Sequence, residues 1–125
     1  MILGIGIDII EVSRVKKAIA KKAFKQKVYS QREIEYCEKD VRCERYAARY
    51  AAKEAFAKAM GTGWNFDFEI NSIEVLNDER GKPNIHLSGA VLDLFKTMGG
   101  GEIQVSLSHL REMAIAFVVI ERSTR

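Results

Sequence analysis

RYAARYAAKEAFAKAMGTG, residues Arg45–Gly63, is the stretch whose reading decides the fold. Ala, Lys, Arg, Glu and Met are strong helix formers and no Gly or Pro interrupts them before Gly61, so it reads as one helix of about five turns. From Tyr46 to Met60, 11 of 15 positions are Ala, Tyr, Phe or Met, so apolar side chains run most of the way round and the helix is expected to be buried. Ala48, Ala52, Ala55 and Ala59 share a face, which lets another backbone approach closely. Glu54 and Lys58 stand roughly opposite that face, and Arg45, Arg49 and Lys53 form a separate ridge. An acid flanked by cations on a buried helix points to phosphate and metal chemistry.

Upstream of this helix, residues 2–10 read as a strand with Leu3, Ile5, Ile7 and Ile9 on one face and Gly4, Gly6 and Asp8 on the other. Two readings of the glycines stay open. Either they clear a pocket floor with Asp8 at its rim, or they permit helix packing and Asp8 is a solvated strand end. Ser13 is expected to cap a helix from Arg14 to about Lys27, with Val15, Ala18 and Ile19 inward. Eight Lys or Arg and no acid lie between Val12 and Arg32, and Arg14, Lys17, Lys21 and Lys25 make a cationic strip suited to an acidic partner. Few aromatics accompany it, which makes nucleic acid the weaker candidate. Ser30-Gln31-Arg32-Glu33 matches a capping box and starts a short helix to about Lys39.

Downstream, Gly61-Thr62-Gly63 ends the long helix, as a C-cap, as a bed for an extended phosphate ligand, or as both. Ile70–Leu76 and Asn84–Leu87 read as a hairpin around the turn Asn77–Pro83. Ser88 caps a further helix that ends at Gly99-Gly100-Gly101. Ile103, Val105 and Leu107 alternate with polar residues, and a turn near His109 leads into a last strand, Met113–Ile120. That strand is apolar on both faces over Ala114–Ile120, so it is expected at the centre of a sheet or against another subunit. His109 at the mouth of this hairpin binds phosphate or caps the turn.

At 125 residues and 47% hydrophobic, the chain fits one domain, 1–125, able to bury about 65% of its unfolded surface. A net charge of +3 is mild, so its distribution matters more than its sum. The apolar start MILGIGIDII is too short to span a bilayer and carries an Asp, which argues against a membrane anchor and for a cytoplasmic protein. Cys37 and Cys43 have no His near them in sequence and read as free thiols.

The constellation to explain is Asp8, Glu54 and Lys58. Magnesium is held by one or two carboxylates with waters and phosphate oxygens, which Asp8 and Glu54 supply if they converge. GIGIDIIEVSRV at 4–15 and RYAAKEAFAKAMGTG at 49–63 closely resemble the two signature motifs of the holo-acyl-carrier-protein synthases, the small 4'-phosphopantetheinyl transferases. GKPNIHLSG at 81–89 and VSLSHLREMAIAFVVIER at 105–122 extend the resemblance over nearly the whole chain.

The resemblance implies an α+β fold, a mainly antiparallel sheet packed around the long central helix. It implies Mg2+-dependent transfer of 4'-phosphopantetheine from coenzyme A to a serine of apo-acyl carrier protein, releasing adenosine 3',5'-bisphosphate. Asp8 and Glu54 are then the metal ligands, and Lys58 is the phosphate contact that assists transfer. Arg49, Gly63, Ser108 and His109 stand where that family lines its coenzyme A site. The first helix, with Arg14, Lys17 and Lys21, resembles the surface that grips the carrier protein. Homotrimers with active sites between subunits are also implied. One departure is Leu110, where the family commonly has Thr after Ser-His, so a hydroxyl contact is lost there. The proton acceptor stays open between Glu54 and a water, as does the choice among fatty acid, polyketide and peptide synthase carriers. The rival reading is a non-catalytic basic protein that docks an acidic protein or nucleic acid through its first helix, with salt-sensitive binding and no coenzyme A dependence.

Overall fold

The two ends of the chain are strand-forming and they pair with each other. A computed structural model describes residues 1–62 and 69–124. β1 (Ile2–Glu11), β4 (Gly100–His109) and β5 (Met113–Arg122) form an antiparallel sheet in the order β1-β5-β4. β2 (Ile73–Asn77) and β3 (Pro83–Leu87) form a two-stranded hairpin. The helices are α1 (Val12–Ile19), α2 (Lys22–Val28), α3 (Gln31–Cys37), α4 (Glu44–Met60) and α5 (Gly89–Thr97). This is the expected α+β arrangement, with α4 as its axis. Ala51, Ala52, Ala55 and Phe56 of α4 are fully buried against Ala116, Val118 and Ile120 of β5, and Ile73, Val75, Val91 and Phe95 close the core. β5 is central, as its apolar faces require.

The packing of β1 on α4 decides between the two readings of its glycines. A Cβ at Gly4 would lie 1.9 Å from the Ala59 carbonyl oxygen, and one at Gly6 would lie 1.9 Å from that of Ala55. The glycines therefore do not floor a pocket: helix backbone fills the space, and alanine on one side with glycine on the other sets the separation. Asp8 follows on the same strand face, toward the helix. Ile5, Ile7 and Ile9 point away and stay 54–60% exposed, with Phe117 of β5 beside them at 43%. Leu3 leaves that face, because the register shifts between Ile2 and Gly4 and Leu3 packs against the core.

Three local expectations change. The single helix from Arg14 to Lys27 is two, α1 and α2, since Lys21 is extended (φ −89°, ψ 114°). The break lets Val28 and Tyr29 bury beneath α4. Ser13 lies inside α1 and does not cap it. Glu11 is the N-cap without a side-chain bond, and the Val12 amide instead donates to the Glu112 carbonyl at 2.9 Å. Ile70–Ser72 is a 3-10 turn, so the strand begins at Ile73. Gly61 ends α4 in the left-handed region (φ 77°), as a C-cap requires. Arg14, Lys17 and Lys21 remain exposed, whereas Lys25 turns to Glu38 at 2.6 Å.

The capping box at Ser30 and Glu33 is present and does more than cap. Glu33 and Lys53 are both fully buried and paired at 2.7 Å. Lys53 Nζ also donates to the carbonyls of Val28 (2.7 Å) and Ile70 (3.4 Å), while Glu33 Oε2 accepts the Val75 amide at 2.8 Å. Burial pulls the Lys53 ammonium below its ordinary value and the Glu33 carboxylate opposes that. The pair thus joins α2, α3, α4, the 3-10 turn and β2 at one point.

Two stability predictions follow from this packing. Gly6→Ala forces strand and helix apart and lowers stability by about 2 kcal/mol or more, read as a shift of the urea midpoint; an unchanged midpoint would mean the helix can back away freely. Lys53→Met leaves a buried carboxylate without its cation and costs about 3–5 kcal/mol by the same measurement.

Candidate active site

α4 carries polar residues on two separate flanks. Arg49 and Glu54 are five residues apart, about 140° around the helix axis, so they face different neighbours.

On the β1 flank, Lys58 reaches across to the strand. Its Nζ donates to Asp8 Oδ1 at 3.1 Å and to the Ile7 carbonyl at 3.0 Å. Glu54 lies one turn back on the same helix edge, and Tyr50 stands a further turn back. Burial pushes the Tyr50 phenol up, the Glu54 carboxylate adds to this, and Asp8 adds a smaller push, while Arg14 of α1 opposes them. Both acids and one cation of the basic helix therefore act on this phenol through their charge. The Phe24 ring of α2 packs on the Tyr50 ring, with centroids 6.2 Å apart, and ties that helix to the same flank.

The donor set fits a hard divalent cation. Asp8 and Glu54 offer carboxylate oxygens, and the positive Lys58 ammonium already stands on Asp8 and the Ile7 carbonyl. Among the described residues no group of three or more His, Cys, Asp or Glu could hold an ion unaided. A cation held here would complete its shell with water and ligand oxygens, as magnesium does at phosphate sites.

On the other flank, Arg49 is 2% exposed and committed. Its guanidinium donates to the Val75 carbonyl at 3.0 Å and to Asn77 Oδ1, and stacks over Tyr36 beside Arg45. Arg45, Arg49, Asn77, Gly81 and His109 line a cleft of about 370 Å3. His109 Nδ1 stands 3.4 Å from Glu44 Oε2 at the start of α4. Ser108 is exposed on β4 next to His109. Gly63 lies outside the described residues.

Within one chain, then, Asp8, Glu54 and Lys58 share a flank, whereas Arg49 and His109 share a different cleft. Fewer cations surround Glu54 than the sequence suggests, because Lys53 is buried and bonded to three acceptors and Arg49 is turned to the other flank. One residue escapes the sequence reading: Glu33 reads only as a cap, and nothing in its local sequence marks its burial.

Comparison with known proteins places this geometry. The model of the 4'-phosphopantetheinyl transferase superfamily matches residues 4–118. The holo-[acyl-carrier-protein] synthase of Clostridium tetani is 48% identical over 123 residues, covering 97% of each chain. That of Ruminiclostridium cellulolyticum is 47% identical over 120 residues, covering 93% of this chain and 90% of the relative. Among solved structures, the Bacillus anthracis holo-(acyl-carrier-protein) synthase in complex with CoA (3',5'-ADP) superposes with a TM-score of 0.81 at 37% identity, covering 98% of this chain and 99% of that one. The Neisseria meningitidis enzyme gives 0.89 at 31% identity, covering 98% and 100%. A β1 carboxylate held against a Glu-and-Lys helix edge, in a chain matched almost from end to end, leaves one assignment: the protein belongs to the 4'-phosphopantetheinyl transferase superfamily, among the holo-[acyl-carrier-protein] synthases.

Proposed function

We propose that residues 1–125 act as a single magnesium-dependent transferase domain, moving 4'-phosphopantetheine from coenzyme A to a serine of apo-acyl carrier protein and releasing adenosine 3',5'-bisphosphate. The observation that carries this reading is the meeting of Lys58 with Asp8, one helical turn from Glu54. A magnesium ion held by Asp8 and Glu54 would neutralise the charge of the coenzyme A pyrophosphate. Lys58, 54% exposed at its side chain, is free to donate to a phosphate oxygen and stabilise the leaving bisphosphate. The attack comes from the carrier serine on the phosphorus bonded to pantetheine, and positioning supplies much of the acceleration.

The carrier protein docks on α1 and α2 through Arg14, Lys17 and Lys21. Support comes from their exposure on helices that follow directly from β1, the strand that carries Asp8. The nucleotide end of coenzyme A takes Arg49, Gly63, Ser108 and His109. Because Arg49 and His109 face away from Asp8 in one chain, these two groups complete one site between neighbouring subunits. A homotrimer built on the exposed Ile5, Ile7, Ile9 and Phe117 face would bring them together. The described helices include none long and apolar enough to cross a membrane, and Cys37 and Cys43 are free thiols, which favours a cytoplasmic enzyme. Service to fatty acid synthesis is the reading that the carrier-protein relatives support.

The test is incubation with apo-acyl carrier protein, coenzyme A and magnesium, followed by mass spectrometry of the carrier. The wild-type chain adds phosphopantetheine to serine and does not when magnesium is omitted. Asp8→Ala and Glu54→Ala each fold, by circular dichroism, and lose about 100-fold or more in rate. Wild-type rates in Asp8→Ala would remove the metal from the mechanism.

A further inference from the structure

Lys58 stands where a cation is wanted. Its ammonium takes Asp8 Oδ1 and the Ile7 carbonyl together, two hard oxygens from adjacent residues of β1. The Asp8 side chain is 17% exposed and fixed to a strand, whereas the Lys58 side chain is 54% exposed on a flexible four-carbon stem. The lysine can therefore leave without repacking the core, and the carboxylate stays.

Resting on the metal reading above, we infer that Lys58 is an internal competitor for the divalent cation and has two stations. In the chain without ligands it occupies the Asp8 oxygen. When coenzyme A binds, its pyrophosphate draws the ammonium away, and the carboxylate becomes open to the metal. Cation and pyrophosphate then bind with positive coupling, because each favours the state in which Lys58 has left Asp8. The consequence is ordering: the metal is taken up firmly only with its phosphate ligand, and the Asp8 charge is never left bare between turnovers.

The competition is modest, since an ion pair this exposed shifts an equilibrium by about fivefold. Mn2+ titration followed by electron paramagnetic resonance measures it, with wild type, Lys58→Met and Arg14→Met, each with and without coenzyme A. Lys58→Met binds Mn2+ about three- to tenfold tighter than wild type in the absence of coenzyme A, and this advantage disappears when coenzyme A is saturating. Arg14→Met removes the same charge without touching Asp8, and leaves the ratio of the two dissociation constants as in wild type. A tightening that persists with coenzyme A bound would be plain loss of positive charge and would overturn the exchange, as would no tightening at all. If wild type and Lys58→Met both fail to bind Mn2+ even with coenzyme A, the metal site itself is wrong, an outcome distinct from failure of the exchange alone.

Discussion

The contact of Gly4 and Gly6 with the carbonyls of Ala59 and Ala55 is the constraint from which the rest of this structure follows. A methyl group at either glycine would stand 1.9 Å from a carbonyl oxygen, far inside van der Waals contact, so strand and helix meet backbone to backbone. That closeness has two effects. It seals the core with very small side chains, and it puts the short side chain of Asp8, two residues beyond Gly6, within reach of α4. An aspartate has little length to spare, so its contact with Lys58 exists because the packing is tight. The same geometry turns the isoleucines of β1 outward, leaving a sheet face whose chemistry suits another protein surface better than water.

Helix α4 works as a partition as well as an axis. Its alanine faces bury the sheet, one flank carries Tyr50, Glu54 and Lys58, and the other carries Arg45 and Arg49. The buried Lys53–Glu33 pair holds the surrounding pieces in register. Replacing it with apolar side chains would take their present partners from the Val28 and Ile70 carbonyls and the Val75 amide. Here a buried charge is a means of satisfying several backbone groups at once, and it anchors the end of the basic segment at Val28.

Much of this was legible in the sequence, for identifiable reasons. The long helix, the central last strand, the hairpin at 73–87 and the Ser30–Glu33 cap each rest on a local signal of period, breaker or cap, and such signals survive folding. The meeting of Asp8 with the Glu54 and Lys58 edge of α4 was legible because helix spacing groups two of them and motif resemblance joins the third. The failures are tertiary. The helix break at Lys21 is dictated by what Val28 and Tyr29 must bury against, and no local residue announces it. The role of Gly4 and Gly6 depended on what lies opposite them, information that sits some fifty residues away. Ser13 looked like a cap until the 112 carbonyl, supplied by a distant turn, took over the amide of α1.

Lys53 and Lys58 show how position assigns chemistry to identical side chains. They are five residues apart on one helix, and both ammonium groups bond to a carboxylate and to backbone carbonyls. Lys53 is closed in on every side and bonded to three acceptors, so moving it would leave buried oxygens unsatisfied, a cost no ligand on the surface could offset. Lys58 is half in water, and each of its two acceptors can be served instead by solvent or by a metal. The first is therefore part of the scaffold, and the second is available for chemistry. A cation that must travel between a carboxylate and a phosphate has to sit where leaving is cheap, and on this helix only the flank facing Asp8 meets that condition among the described residues.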